Sequence, residues 1–410
     1  MSLQGPIVVV SSTDRPSFAG ALDDAGLFPV IVTNWAEASL AATQLAPAAV
    51  LVACSEVEGA ALEALAKQIA GIAPYVPLIA VDPKTSLPDN AIPCAQAGGN
   101  SDRLIARLRS ALRVRTLHST VMRRLDSDPV LRGALDDADP LGEATVLLIG
   151  RGAAYPSLSV SFGERIGVVG ALSIEAAAKH LNTRDIDGIV LGAGFSPRVE
   201  DAFLTVLAED ARFRNLPVIL TSDALARAYD LPNLEIISSE PARVAANALP
   251  LIRQHAFEAH LSRMLKAIDA EGLLDPRTGL LAPAAFDRDF ANAVAQALSR
   301  GGGLSVARFA FDRTHPRAQL DGARILSRLM RQMDFGAAQE DGSVIAVFAE
   351  TDLRTAHMVA RRLSSVIRHT SHGKRDVTAE PVITVTTLLP SDSEKSLMAR
   401  LHDEGCRAAS

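Results

Sequence analysis

Cysteine is scarce in this sequence of 410 residues, and its scarcity excludes two kinds of framework. The cysteines are Cys54, Cys94 and Cys406, which lie far apart and form no CxxC pair. Structural zinc sites and disulfide-rich folds both need closely spaced or paired cysteines. We therefore predict no zinc site, no disulfide framework and a reducing compartment.

Long apolar runs are also missing, and no segment is long enough to predict a membrane-spanning helix. The residues before the first apolar run, 6–11, lack the basic start and the extended apolar core of a signal peptide. We expect a cytoplasmic protein without a membrane partner.

An excess of basic residues is absent as well. Lysine and arginine number 41 against 47 acidic residues, which gives a formal net charge of −6. Proteins built mainly to neutralise phosphate backbones carry the opposite balance, so nucleic acid is not a predicted partner. The sequence is 48% hydrophobic, and its length accommodates about two to four folded domains.

Short apolar runs alternate with helix-length segments through the first part of the chain, and the order occurs twice. Fully apolar strands separated by helices predict parallel sheets covered on both faces. The predicted strands are 6–11, 28–33, 48–54 and 77–82, then 144–149, 165–169, 187–191, 217–221 and 234–238. The sequence therefore predicts two tandem doubly wound α/β domains.

Each predicted domain ends in a long helix, over 101–125 and 242–270. The second helix carries apolar residues at three-, four- and five-residue steps: Leu249, Ile252, Ala256, Leu261, Leu265 and Ile268. Two interpretations remain open: a signalling or dimerising stalk, or an amphipathic helix that packs on its own domain.

The alternation changes after residue 270. Predicted strands 304–311, 343–349 and 381–387 are separated by amphipathic helices, which predicts an α+β domain. We place the boundaries of the three domains at 1–125, 141–262 and 270–410.

The first two domains resemble the receiver domains of response regulators, with their flavodoxin-like fold. The resemblance implies an acidic pair for Mg²⁺ and a phosphoacceptor aspartate, and these carboxylates are missing. The acceptor positions hold Ala53 and Gly192, and Thr221 alone matches the family pattern. Without a carboxylate nucleophile nothing can be phosphorylated, so both domains are predicted to be pseudo-receivers.

The third domain opens with Asp275, Thr278, Gly279 and Leu280, which resembles the start of the GGDEF domain of diguanylate cyclases. The family's fold is of the nucleotidyl cyclase type. The resemblance implies metal-binding carboxylates near 310 and a GGDEF hairpin at 340–344.

The active-site positions implied by this resemblance are degenerate. Of the first metal pair, Ala310 replaces one aspartate and Asp312 remains. The hairpin carries Glu340, Asp341, Gly342 and Ser343, so the second metal carboxylate and the catalytic glutamate are both replaced. Metal-assisted phosphodiester formation needs those carboxylates. We predict no catalytic residues, no metal site, no requirement for Mg²⁺ and no enzyme activity, and interpret Asp341–Gly342 as a tight hairpin turn.

One family motif survives. In GGDEF domains an RxxD sequence ends five residues before the hairpin and binds cyclic di-GMP, and this chain has Arg331 and Asp334 at that spacing. The second half of the family's site falls on Arg361 or Arg362, while its other arginine position holds Met358. An alternative interpretation is a solvated surface helix, because Arg324, Arg328 and Arg331 share one helical face.

The domain order resembles the PopA type of cyclic di-GMP effector. The resemblance implies a non-enzymatic cyclic di-GMP receptor in signalling of the two-component type, with recruitment to a cell pole. We expect a homodimer and a protein partner that the sequence does not identify. Two other hypotheses stay open: a ligand-free scaffold that binds only proteins, and a residual diguanylate cyclase supported by Asp312 alone.

Overall fold

A computed structural model describes most of the chain. The described residues are 5–12, 15–26, 29–54, 59–84, 87–96, 101–125, 133, 135, 139–221, 228–238, 240–312, 314–368 and 380–408. They form two five-stranded sheets and one four-stranded sheet. No helix among them has the length and apolar character needed to cross a bilayer.

The strands are numbered in chain order. They are β1 (Ile7–Val10), β2 (Val30–Thr33), β3 (Ala49–Ala53), β4 (Leu78–Val81), β5 (Ala91–Cys94), β6 (Thr145–Ile149), β7 (Gly167–Ala171), β8 (Gly188–Leu191), β9 (Val218–Leu220), β10 (Leu234–Ile236), β11 (Leu304–Ala310), β12 (Phe335–Ala338), β13 (Ser343–Ala349) and β14 (Val382–Thr387).

The helices of the described residues follow the same convention. They are α1 (Ser17–Asp24), α2 (Trp35–Gln44), α3 (Gly59–Ala70), α4 (Asp102–Leu125), α5 (Tyr155–Gly163), α6 (Ile174–Thr183), α7 (Pro197–Glu209), α8 (Pro241–Asp269), α9 (Pro283–Arg300), α10 (Pro316–Leu329), α11 (Leu353–Ile367) and α12 (Glu394–Ala408).

The first sheet has the order β2-β1-β3-β4-β5, and its recorded strand pairs are parallel. Its central strands are fully apolar because helices cover both faces. Alternate residues of β1 enter opposite cores: Ile7 and Val9 pack with α4, while Val8 and Val10 pack with α2 and α3. The second sheet has the order β10-β9-β8-β6-β7. The mixed α/β fold with two parallel sheets agrees with the sequence prediction.

The chain divides into two compact units. The first comprises 1–165, 170–174 and 186–261, and the second comprises 166–169, 175–185 and 262–410. The predicted domain boundaries remain predictions, although each sheet lies within one of the predicted ranges.

One face of helix α8 is buried within the chain between Val244 and Leu261. Leu249, Ile252, Ala256 and Leu261 are each at most 4% exposed. The structure therefore agrees with the interpretation in which this helix packs on its own chain, since those side chains are not available to a second copy.

The second unit contains an antiparallel sheet of order β12-β13-β11-β14. Helices α10 and α11 cover one face, around Phe309 and Phe348. Helices α9 and α12 cover the other, around Val306 and Val347. Successive side chains of β11 and β13 point to opposite faces of the sheet, so each face has its own apolar core.

Two strands, β5 and β12, were not predicted from the sequence. Strand β5 contains Pro93, and proline is tolerated there because β5 is an edge strand that pairs only with β4. Strand β12, of sequence FGAA, carries little β-branched character and lies at the edge of its sheet.

Candidate functional site

Arg331 and Asp334 occupy the two ends of one β-turn. Helix α10 ends at Leu329, and the amide of Asp334 then donates to the carbonyl of Arg331 at 3.0 Å. Strand β12 begins at the next residue. The turn therefore presents both side chains of the RxxD motif from one rigid connection between helix and strand.

The guanidinium of Arg331 is available for a ligand. Its side chain is exposed and makes no hydrogen bond or ion pair with another described residue. Arginine offers several donors in a planar fork that suits carboxylate, phosphate and guanine edges. A charged group left without a partner at a turn of fixed geometry is suited to bind an anion or an acceptor-rich base.

Asp334 is held more firmly than Arg331. Its Oδ1 accepts a hydrogen bond from the amide of Ala349 at 3.3 Å, and the side chain is partly buried. Burial raises the pKa of this carboxyl, while amide hydrogen bonds from Ala349 and Arg331 and the Arg331 charge act against the rise. The bond to Ala349 orients the carboxylate.

The surface-helix interpretation is wrong for the other two arginines of this face. Arg324 is 7% exposed, and its Nε donates to the carbonyl of Arg277 at 2.9 Å. Arg328 donates to Asp185 at 3.0 Å, also within the second unit. The helix ends before Arg331, so this residue does not belong to a solvated helical row.

The remaining predicted ligand residues lie on α11. Arg361 and Arg362 are exposed and, like Arg331, make no hydrogen bond or ion pair with another described residue. Met358 is also exposed, at 58%. Helix α11 packs beside α10, whose end leads into the turn. The structure thus places Arg331 and Asp334 at the two ends of one turn. Arg361 and Arg362 form no ion pair with Asp334.

The opening motif of this domain is a polar turn. Asp275 Oδ1 accepts from the amide and from the hydroxyl of Thr278, each at 2.7 Å. Gly279 has a φ of +74°, which favours glycine, and Leu280 enters the core. The four residues that carry the GGDEF resemblance therefore fix one turn.

The position of the GGDEF hairpin is a tight turn, as interpreted from Asp341–Gly342. The Gln339 amide donates to the Ser343 carbonyl at 2.8 Å, and the Gly342 amide donates back to Gln339 at 3.2 Å. Gly342 has a φ of +85°. This pattern is typical of a hairpin whose turn ends in a left-handed glycine.

Asp341 is occupied by partners within its own hairpin. Its Oδ1 accepts from the Ser343 hydroxyl at 2.5 Å and amide at 2.9 Å, and Oδ2 pairs with Arg308 at 2.8 Å. Burial raises the pKa, but these hydrogen bonds and the Arg308 charge outweigh it and lower the pKa to about 2. Arg308 was not predicted from the sequence, because its role depends on the pairing of β11 with β13.

A second unpredicted residue, Gln319, fastens the hairpin to α10. Its Nε2 donates to the carbonyls of Gln339 and Ser343, at 2.8 and 3.0 Å. A glutamine in a helix has many roles, and only the tertiary structure shows this one. Glu340 lies exposed between these anchored residues.

The carboxylates present do not fit a catalytic metal pair. Ala310 pairs with Ser343 across the sheet, so neither position supplies a metal ligand of the family type. Asp312 accepts from the Thr314 amide at 2.9 Å and contacts His315 at 3.3 Å, and these hydrogen bonds lower its pKa. Among the described residues no group of three or more His, Cys, Asp or Glu could hold a metal ion.

The two positions that the receiver resemblance implies as phosphoacceptors, Ala53 and Gly192, lie at or beside strand ends. Ala53 ends β3 at 9% exposure. A Cβ added at Gly192 would lie 3.3 Å from the Ile149 carbonyl, so the second site has little space for a longer side chain. The Thr221 hydroxyl donates to Leu191 at 3.4 Å, which is the contact of an ordinary strand-end threonine.

Comparisons with known proteins give structural neighbours only. No protein-family model matches the chain, and no curated protein matches it. A sensory box/GGDEF family protein from Caulobacter crescentus is 19% identical, over 33% of this chain and 97% of its own, with a TM-score of 0.30.

Two further solved structures give similar values. The GGDEF domain of DgcB from Caulobacter crescentus, in complex with c-di-GMP, is 18% identical over 33% of this chain and 87% of its own, with a TM-score of 0.30. The FimX GGDEF domain from Pseudomonas aeruginosa is 20% identical over 33% and 93%, also with a TM-score of 0.30. The chain is therefore similar to solved GGDEF domains over about a third of its length.

Proposed function

We propose that this protein is a non-enzymatic receptor for cyclic di-GMP, which binds at Arg331 and Asp334. The observation that carries the proposal is the Arg331 guanidinium, which pairs with none of the described residues, at one end of a turn whose other end fixes the Asp334 carboxylate. Arg362 and Arg361 on α11 are the proposed second contributors.

The chemistry of the pair suits guanine. A guanidinium donates two parallel hydrogen bonds to the O6 and N7 edge of the base or to a phosphate. A carboxylate accepts from N1–H and the exocyclic amino group. Because Asp334 is partly buried, its hydrogen bonds to a ligand form in a medium of lower dielectric than water and are strengthened accordingly.

The proposal includes no catalysis, because the carboxylates that would bind metal ions at the active-site positions are missing or paired with other residues. Ala310 and Gly342 carry no carboxylate, and Asp341 is neutralised by Arg308. A residual cyclase would have to bind its metal through Asp312 alone, whose oxygens already accept from Thr314 and His315. Metal-assisted transfer between two nucleotides needs more oxygen ligands than that.

The signalling part of the proposal concerns what the ligand changes. Bound cyclic di-GMP shifts an equilibrium only if two arrangements of the chain bind it with unequal affinity. We propose a homodimer and a protein partner as the components that distinguish those arrangements, in the cytoplasm and at a cell pole. Light scattering with and without ligand measures the oligomeric state directly.

Isothermal titration calorimetry with cyclic di-GMP tests the receptor. The wild-type chain is expected to bind saturably, and Arg331→Ala is expected to weaken binding at least tenfold because a charge-assisted bidentate contact is lost. Arg300→Ala is the matched control, since Arg300 is an exposed arginine at the end of α9, on the opposite face of the sheet.

The same titration contains the outcome that rejects the proposal. No saturable heat with the wild-type chain, or equal affinity in the Arg331→Ala and Arg300→Ala variants, leaves the ligand-free scaffold as the better hypothesis. An assay for cyclic di-GMP production from GTP, with Mg²⁺ or Mn²⁺, distinguishes the receptor and the scaffold from a residual cyclase.

A further inference from the structure

A cavity of about 250 Å³ lies within the first unit, whereas the RxxD turn belongs to the second. It is bounded by the end of α3, the loop before β4, α4 and the middle of α8. An engineered apolar cavity of about 150 Å³ accommodates benzene, so this volume corresponds to a ligand of about ten non-hydrogen atoms.

The apolar part of the lining is suited to an aromatic or branched hydrocarbon. Ile69, Ile72 and Ile92 supply aliphatic surface. The ring of Phe257 meets those of Tyr75 and His118 edge-on, with centroids 5.5 and 5.2 Å apart. Aromatic edges and faces in this arrangement provide favourable contacts for a further ring.

The polar side chains of the lining include a positive charge and hydrogen-bond donors. Arg253 makes no hydrogen bond or ion pair with another described residue, and none of the described lining residues is acidic. Gln254 is 6% exposed; its side chain interacts with the Tyr75 hydroxyl, and its Nε2 has no hydrogen-bond partner of good geometry. A buried donor without an acceptor is costly, and a bound acceptor removes that cost.

Tyr75 adds a hydroxyl beside these groups. Burial raises its pKa, with the Arg253 charge acting in the opposite direction, so the phenol stays neutral and can donate. Its backbone is fixed independently: the amide donates to His118 Nδ1 at 2.9 Å, and the carbonyl accepts from Arg115 at 2.9 Å. The donors therefore surround the cavity from both α8 and the loop before β4.

We propose that this cavity is a second ligand site, which binds a small monocarboxylic acid with an aromatic or branched apolar body. The carboxylate pairs with Arg253 and accepts from Gln254, while the hydrocarbon contacts the isoleucines and Phe257. Every described residue that lines it lies in the first unit, whereas Arg331 and Asp334 lie in the second, so we expect the two ligands to bind independently.

Calorimetry of the full chain with phenylacetate, a probe of ten non-hydrogen atoms, tests the site. We expect saturable binding, and at least tenfold weaker binding of the uncharged analogue phenylacetamide. Arg253→Met should weaken phenylacetate binding at least tenfold, while Lys266→Met, which removes an exposed charge from the same helix, should leave it unchanged. Ile72→Phe, which fills part of the cavity, should also weaken it.

Melting temperatures of all variants show whether each one folds. Failure of both phenylacetate and 4-methylpentanoate to bind the folded wild-type chain overturns the proposal, as does unchanged binding by folded Arg253→Met. Binding of phenyl phosphate in place of phenylacetate overturns the carboxylate assignment. Cyclic di-GMP titrations of Arg253→Met should match the wild type, so failure at one site is distinguishable from failure at the other.

Discussion

At the scale of single residues, Asp341 has a structural role in its hairpin. In the family that this domain resembles, the hairpin glycines admit a nucleotide. Here the corresponding side chain accepts from Ser343 and pairs with Arg308 at 2.8 Å. The charge that would repel a triphosphate is thus neutralised internally, and the hairpin gains a cross-strand ion pair.

The lowered pKa of Asp341 predicts a pH-dependent contribution to stability. Folding lowers its pKa from about 3.8 to about 2, so the contribution is complete above about pH 4 and is lost as the pH falls through 2. The carboxyl is 37% exposed, and solvent screening reduces the stabilisation to about 1 kcal/mol. Urea unfolding should show Asp341→Asn less stable by that amount at pH 7.

The difference between Asp341→Asn and the wild type should shrink steadily between pH 4 and pH 2. Asp287→Asn is the control, since Asp287 is an exposed aspartate on α9 in the same unit. An equal loss in the control, or a difference that persists unchanged at pH 2, contradicts the assignment of the effect to the Asp341 charge.

At the scale of elements, β12 positions the turn of Arg331 and Asp334, at which we propose that the ligand binds. The strand starts one residue after Asp334 and pairs with β13 alone, at the edge of the sheet. Gly336 permits this pairing, because a Cβ there would lie 2.4 Å from the Ile345 carbonyl. The close approach of the two backbones explains a glycine in the middle of a strand.

Gly336→Ala should therefore disturb both the strand and the turn. Overpacking of this kind costs about 1–3 kcal/mol, and separation of β12 from β13 moves the amide of Ala349 away from Asp334. We expect a lower melting temperature together with weaker binding of cyclic di-GMP. Gly20→Ala, in α1 with no atom within 4 Å of its added Cβ, should leave both unchanged or raise stability slightly. A Gly336→Ala variant as stable as Gly20→Ala contradicts the account.

The limits of sequence-based prediction are also visible in individual elements. Strands β1, β3 and β4 are continuous apolar runs that only a sheet covered on both faces explains, and the sequence predicts them. Strand β5 was missed because Pro93 argues against a strand unless its place at the sheet edge is known. Arg308 and Gln319 were missed because their partners lie 33 and 20 residues away. The Arg331–Asp334 pair could be predicted because its spacing is local, and its role as a ligand site stays a prediction.

At the scale of the whole molecule, buried contacts connect the two predicted repeats. Arg107 on α4 is 0% exposed, and its guanidinium lies 2.9 Å from the Glu235 carboxylate on β10. Its Nε also donates to the Pro232 carbonyl at 2.8 Å. These contacts connect an element of the first predicted domain to the edge strand of the second, and both belong to one compact unit.

Such a buried pair predicts that the two repeats unfold together. Glu235→Ala leaves the Arg107 charge buried without its carboxylate, which typically costs about 3–5 kcal/mol. Replacing both partners, as Arg107→Met with Glu235→Leu, removes the buried charge and should restore part of that loss. The restoration is partial because the carbonyls of Pro232, Pro93 and Leu234 lose a donor. In differential scanning calorimetry of the full chain, the first unit should unfold in a single peak, and this peak should shift to lower temperature in both variants. Separate peaks for the two repeats, or a double variant no more stable than Glu235→Ala, would mean that Arg107 and Glu235 do not couple them.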